Sequence, residues 1–316
     1  MNADILQSLN VGAVIRETDC SAVGMSFSAD GTALGVGYED GSVFVIDPDT
    51  AHVTRTHRSH KYGLSNFAFL NSDPRGVLAI AVGSAEVDTS IRIWDLSSNR
   101  FCRIFRDHKT PVTTVSPHSS EGIFLSSSAE GVVHMWDVRM DGASIWTTLG
   151  NIGCMGNFDL HYGSNFVAIS TPTRRCISIF DQRKMEKPVT QFQFNTDIDE
   201  LVFSGDKIIV GSEKLGTITT LASNSGKTVS LYFVQPTKGK KLRIAVSPCA
   251  QYALASSANN QIDIWNIQTR IKVRSLSGHG GPPIAKFSPK HTLIASASLP
   301  IALWVPFPHA TTIIPA

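Results

Sequence analysis

Seven short segments end alike, and their spacing limits what this chain can fold into. They are FVID (44–47), RIWD (92–95), HMWD (134–137), SIFD (178–181), TTLA (219–222), DIWN (263–266) and ALWV (302–305). Their last residues are spaced 48, 42, 44, 41, 44 and 39 apart. A second series runs about twenty residues ahead: FSADG (27–31), FLNSD (69–73), VSPHS (115–119), FDLHY (158–162), FSGDK (203–207), VSPCA (246–250) and FSPKH (287–291). Two independent landmarks thus keep one register seven times, which is the mark of a repeat architecture.

A period near 40–45 with W-D endings is the WD-repeat signature, each unit being four short antiparallel strands. Residues 108–149 illustrate the unit. VTTVS reads as the inner strand, GIFLSSS as the second, VVHMWDV as the third and ASIWTTL as the outer fourth. No long segment has a helical period, so few helices are expected. The sequence predicts an all-β fold, a seven-bladed WD-repeat β-propeller spanning residues 1–316. The last repeat ends after its third strand at Trp304 and Val305, and an unassigned strand, VGAVIRE (11–17), precedes the first repeat. That strand is predicted to supply the missing outer strand of blade seven and close the ring. Residues 306–316 carry no repeat pattern and read as a tail.

Composition fits this reading. Hydrophobic residues are 42% and charged residues 17%, enough apolar surface for a packed core. Net charge is +2, so anion binding would need local clustering of cations. The five cysteines are far apart with no C-x-x-C, which argues for buried free thiols in a reducing compartment. No apolar run approaches the ~20 residues of a membrane span, and MNADILQSLNVGAVIRE lacks the pattern of a signal peptide. An intracellular protein with no membrane partner is expected.

Four of the five tryptophans, Trp94, Trp136, Trp265 and Trp304, fall at the third-strand position. A buried indole N–H needs an acceptor. The repeat suggests polar networks of Trp, Ser, His and an acid: His60, Asp88 and Trp94 in blade two; His108, Glu130 and Trp136 with Ser126 or Ser128 in blade three; His279 and Trp304 with Ser298 in blade seven. Blade one keeps Asp40 but has Ile46 in place of Trp. Such sets resemble a Ser-His-Asp triad, yet they recur blade by blade, whereas catalysis needs one constellation in one cleft. P-loop, HExxH, G-x-S-x-G and Rossmann patterns are missing from the sequence, so an enzyme, a cofactor and a metal are not expected. His57 and His60 are three apart, but no further ligand joins them at metal spacing.

Loops from fourth to first strands, and from second to third strands, share one face of a propeller, here termed the top. Arg55, Arg58, Lys61, Arg106, Lys109, Arg174, Arg175, Lys240 and Lys241 are assigned to it. Together they suggest a basic arc suited to an acidic or phosphorylated peptide. Glu39, Asp40, Glu86, Asp88 and Glu130 share the face, some of them committed to the buried networks. Few aromatics interleave with the cations, so direct nucleic-acid binding is not expected. FLSSSAEGVVHMWDVR (124–139) also resembles the box that WD-repeat substrate receptors present to a cullin-type ubiquitin ligase adaptor, with Arg139 as its distinctive residue.

Four stretches are more specific than a generic repeat. HKYGL (60–64), SSNRFCRIFRDHKTPVTTVSP (97–117), SIFDQRKMEKPVTQF (178–192) and RIKVRSLSGHGGPPIAKFSPKHTLIASASLPIALWVP (270–306) resemble the small WD-repeat subunit of two kinds of assembly. These are the COMPASS-type histone methyltransferases and the transcription-termination complexes built on protein phosphatase 1 or the cleavage and polyadenylation machinery. The resemblance implies a non-catalytic nuclear adaptor that docks segments of large scaffold subunits. It further implies engagement of the phosphorylated tail of RNA polymerase II. The alternatives are a ubiquitin-ligase substrate receptor and a direct phosphopeptide reader.

Overall fold

The computed structural model describes residues 3–306 except 60, 71–77, 84–87, 118–121, 129–130, 141–143, 148–159, 163–165, 172–174, 182, 195, 205 and 237–239. Its strands form seven four-stranded antiparallel sheets. In six of them the four strands are consecutive along the chain. Blade one is typical, with strands Ala22–Phe27, Leu34–Tyr38, Ser42–Ile46 and Val53–Arg58. Burial follows position. Third strands such as Ser42–Ile46 are buried along their length because a blade packs on each face. Outer strands alternate, as Arg100–Phe105 does in blade two, because one face already meets solvent.

One sheet cannot bury both of its faces, and neighbouring blades solve this pairwise. Val43 and Val45 of blade one cluster with Phe67, Phe69 and Trp94 of blade two. Ile80, Ile91 and Ile93 of blade two then cluster with Val112, Phe124 and Trp136 of blade three. The same arrangement continues around the ring to a seventh cluster, where Leu34, Val36 and Ile46 of blade one meet Ala295, Ile301 and Leu303 of blade seven. Gly35 shows how closely blades one and two approach. A Cβ there would lie 2.6 Å from the Phe67 ring and 2.7 Å from that of Phe69.

The seventh sheet is the one assembled from both ends of the fold. Strand Leu9–Ile15 pairs with Ile301–Pro306, in register Leu9↔Pro306 to Ile15↔Ile301. The closing strand begins two residues earlier than 11–17, since Leu9 is the buried residue that anchors it while Arg16 and Glu17 are exposed. The register shifts between Val11 and Ala13, and the residue between them is Gly12. A Cβ on Gly12 would lie 2.6 Å from a Val305 methyl. A short helix, Ala3–Gln7, precedes the strand. Its Leu6 is fully buried among Leu254, Ile264, Leu276 and Trp304, so it plugs the seam between blades six and seven.

The cysteines depart from the sequence reading. Cys176 is buried, but Cys102 and Cys249 are exposed and Cys20 is partly so; all four are free, and Cys154 lies outside the described residues. Cys102 and Cys249 sit on an outer strand and in a turn, where one side of the chain faces solvent.

Leu6, Leu9 and Ile15 each bury an apolar side chain worth about 1.5–3 kcal/mol. Their sum approaches the ~5–15 kcal/mol that holds a whole domain folded. Deleting residues 1–17 is therefore expected to yield an aggregating protein without a cooperative melt by circular dichroism. A soluble truncation that melts like the intact chain would contradict closure by this strand.

Candidate protein-interaction face

The tryptophans fix the blades from within, and their partners differ by blade. In blade three, Trp136 Nε1–H donates to Ser126 Oγ at 2.7 Å. His108 Nε2 lies 2.6 Å from the same hydroxyl. Blade seven repeats this relay, with Trp304 Nε1 and His279 Nε2 each 2.7 Å from Ser296 Oγ. Ser298 takes no part in the Trp304 bond, whose acceptor is Ser296. Ser126 and Ser296 are fully buried, as is expected of hydroxyls that satisfy two neighbours. Glu130 lies outside the described residues.

Blade two corrects the sequence reading. Trp94 Nε1–H donates to Asn99 Oδ1 at 3.2 Å, and His57 Nδ1 lies 3.1 Å from the same oxygen. Asn99 is thus the acceptor here, with His57 beside it; His60, the histidine assigned to this network, lies outside the described residues. Asn99 occupies the turn after the third strand at φ +53°, a left-handed conformation that asparagine tolerates better than most residues. Asp88 belongs to a different pair. Arg92 Nη1 lies 2.7 Å from Asp88 Oδ2, and the Arg92 guanidinium stacks 3.7 Å from the centre of the Tyr62 ring. Burial opposes ionisation of Asp88, but hydrogen bonds from Arg92 and Ser90 hold its carboxyl below the usual range. Sequence reasoning missed Arg92 because a charged residue in a buried third strand is rare. Its signal was the acid four residues earlier.

The top face is less uniformly basic than its sequence suggests. Arg58 pairs with Asp40 at 3.2 Å, so Asp40 compensates a rim cation directly. Arg175 pairs with Asp197 at 3.0 Å, and Lys214 shares that carboxylate at 3.6 Å. Arg55 lies within the outer strand Val53–Arg58, paired opposite Val45, and therefore faces the outer wall instead of the top loops. Arg174 lies outside the described residues. Lys61, with its ammonium 5.3 Å from the Tyr62 ring, is exposed, as are Arg106 and Lys109 at the turn into blade three. Lys240 and Lys241 are exposed before the inner strand Ile244–Val246 of blade six. Lys241, Arg243, Lys286 and Glu200 line the central channel, a cavity of about 610 Å³ walled by inner strands. The result is two basic sectors separated by the Asp197 cluster, in place of a continuous arc.

Arg139 is 70% exposed, with its guanidinium forked onto Asp137 at 2.6 and 2.9 Å. Blade four makes the same fork between Arg183 and Asp181, at 2.8 and 3.0 Å. The Asp-x-Arg turn is thus a local device that recurs between third and fourth strands. It does not single out Arg139 as a docking residue. Among the described residues, no group of three or more His, Cys, Asp or Glu side chains is placed to hold a metal ion.

Two expectations follow for stability. Asp88→Ala leaves a buried guanidinium uncompensated and is expected to cost about 3–5 kcal/mol in urea denaturation. Adding Arg92→Met removes the stranded charge and is expected to restore part of that loss. The second expectation concerns acid. Burial, with His134 adding and Asp107 opposing, lowers the pKa of His108 to about 3. Burial also lowers His279 and His57. In the fold these imidazoles resist protonation more than in the unfolded chain, which takes up protons below a pH of about 6.5. Their contribution is whole above that pH and falls on acidification, by up to about 1.4 kcal/mol per pH unit for His108. Urea midpoints measured from about pH 7 down to about 4.5 are expected to fall, and less steeply in a His108→Gln variant.

Comparison with known proteins adds to the geometry. Residues 99–137 match the WD domain, G-beta repeat. The chain is 27% identical to WD repeat-containing protein 82 of Drosophila melanogaster over 320 residues, covering 96% of each protein. It is 20% identical to Protein ANTHESIS POMOTING FACTOR 1 of Arabidopsis thaliana, over 96% of this chain and 92% of that one. Over 115 residues it is 25% identical to Set1 complex component swd2 of Schizosaccharomyces pombe, covering 36% of this chain and 31% of the relative. With seven four-stranded blades and tryptophan relays in the third strands, the chain is a WD-repeat β-propeller.

Proposed function

We propose that this propeller is a non-catalytic nuclear adaptor whose top face binds peptide segments of large partner subunits. The observation that carries the reading is the similarity to WD repeat-containing protein 82 along 96% of both chains. The shorter similarity to a Set1 complex component supports a histone H3 lysine methyltransferase assembly as one setting. Termination complexes built on protein phosphatase 1 or the polyadenylation machinery are the other setting implied by the family resemblance. The buried Ser-His-Trp sets support a structural use of those residues. Each serine hydroxyl already accepts a bond from an indole N–H, and each lies in the interior, away from any substrate.

The two basic sectors give the adaptor a second task, contact with the phosphorylated tail of RNA polymerase II. Lys61, Arg106 and Lys109 form one sector, Lys240 and Lys241 the other. Phosphate oxygens make strong charge-assisted hydrogen bonds with such side chains. Half-exposed Tyr62, stacked on Arg92, adds an aromatic surface beside the first sector.

Affinity purification from nuclear extract is expected to recover a methyltransferase, phosphatase or polyadenylation scaffold; recovery of none of these would refute the adaptor reading. Phosphorylated polymerase-tail peptide is expected to bind with an affinity that drops with salt. Lys61→Glu together with Lys240→Glu and Lys241→Glu should weaken it by about tenfold or more. Equal affinity for the unphosphorylated peptide would remove the second task and leave the first standing.

A further inference from the structure

The outer edge of blade five is built unlike several of its counterparts. Its fourth strand, Thr228–Phe233, contains no charged residue. Val229, Leu231 and Phe233 are 44%, 41% and 72% exposed. By contrast, the outer strands of blades one, two and six carry Arg55 and Arg58, Arg100 and Arg103, and Lys272 and Arg274. Charge along an edge is one way in which sheets resist pairing with another chain. Blade five lacks that protection.

Register fixes which way these side chains point. Leu231 lies opposite Thr219, and Thr219 lies opposite Val210. Residues directly opposed across a ladder share a face. Val210 belongs to the core between blades four and five, as do Ile177 and half-buried Phe192. Leu231 and Phe233 therefore extend that core outward into solvent. The backbone is also available. Val234 N–H donates inward to the Gly216 carbonyl at 2.8 Å. Strand alternation then turns the N–H and C=O groups of Leu231 and Phe233 toward the open edge.

Charge marks one end of this edge. Lys227 is exposed just before the strand begins. Arg270 reaches across from blade six and donates from Nη2 to the Val229 carbonyl at 3.2 Å. Among the described residues neither cation takes part in an ion pair. Among the described residues, these two cations lie without an ion-pair partner at the foot of an uncharged strand.

We propose that the outer edge of blade five docks an extended segment of another protein, which adds an antiparallel fifth strand to the blade. The segment carries apolar side chains at alternate positions, continuing the surface of Leu231 and Phe233. It carries carboxylates at its C-terminal end, where an antiparallel strand meets Lys227 and Arg270. Main-chain bonds to the Leu231 and Phe233 edge hold it, and side-chain alternation and charge select it. The site lies on the outer wall and is separate from the basic sectors of the top face, so it stands or falls independently of them.

The test uses the full chain and a fluorescein-labelled peptide of alternating valine and threonine that ends in two glutamates, followed by anisotropy. Saturable binding is expected, weakened by about tenfold or more in Phe233→Lys. A peptide ending instead in two lysines is expected to bind more weakly, with the gap closing as salt rises. Phe233 is 72% exposed, so its variant should melt with the wild type. If it does not, Val229→Lys supplies the second readout. No saturable binding, or equal affinity in wild type and variant, overturns the proposal. A concentration-dependent dimer in sedimentation velocity that Phe233→Lys abolishes also overturns it, because the occupant is then a second copy of this chain.

Discussion

The pairing of Leu9–Ile15 with Ile301–Pro306 is the constraint on which everything else rests. Each blade buries one face against the blade before it and the other against the blade after it. A linear stack would leave two terminal faces wet, whereas a closed ring leaves none. The closing strand achieves this with main-chain hydrogen bonds, and Leu6 and Leu9 pack into the cluster between blades six and seven. Ile15 contributes to the next cluster, between blades seven and one. One short segment thus ties two of the seven inter-blade cores.

Within that ring the polar interior does a different job from the apolar one. Apolar clusters set how closely blades approach; the Trp136–Ser126–His108 and Trp304–Ser296–His279 relays set which rotamers the large rings adopt. Asn99 shows that the arrangement tolerates a change of chemistry. An amide oxygen presented from a left-handed turn accepts from the same kind of indole that elsewhere uses a strand serine. What is preserved is an acceptor at the right distance from Trp94, not a residue type.

Much of this was legible in the sequence. Fold and blade number follow from a period, and a period survives local variation. The Trp136 and His108 pair of blade three and the Trp304 and His279 pair of blade seven were legible because they recur at spacings that strand geometry imposes; the blade-seven acceptor Ser296 was not, because Ser298 two residues on offers the same hydroxyl. Asn99 was not, because a turn asparagine looks the same whether or not its side chain is used. Arg92 was legible only in part: Asp88 stands four residues before it, but the Tyr62 ring that covers its guanidinium arrives from a separate loop. The rim was legible only as a set of cations. Arg58 and Asp40 are eighteen residues apart, and Arg175 and Asp197 twenty-two, so neither pairing has a local signature. The helix Ala3–Gln7 is too short to show a period at all.

The closing strand also orders events in time. Its two partners are the first and last strands of the fold, separated by nearly the whole sequence. Synthesis makes the N-terminal strand early and its partner late, so this ladder cannot form until translation has passed blade seven. Six sheets are assembled from consecutive strands and can pair while the chain emerges. Until the last step the chain holds one unpaired strand with apolar residues and one incomplete sheet, each open to other chains. Ring closure is therefore the most non-local step of folding, and the interval before it is when the chain most needs shielding.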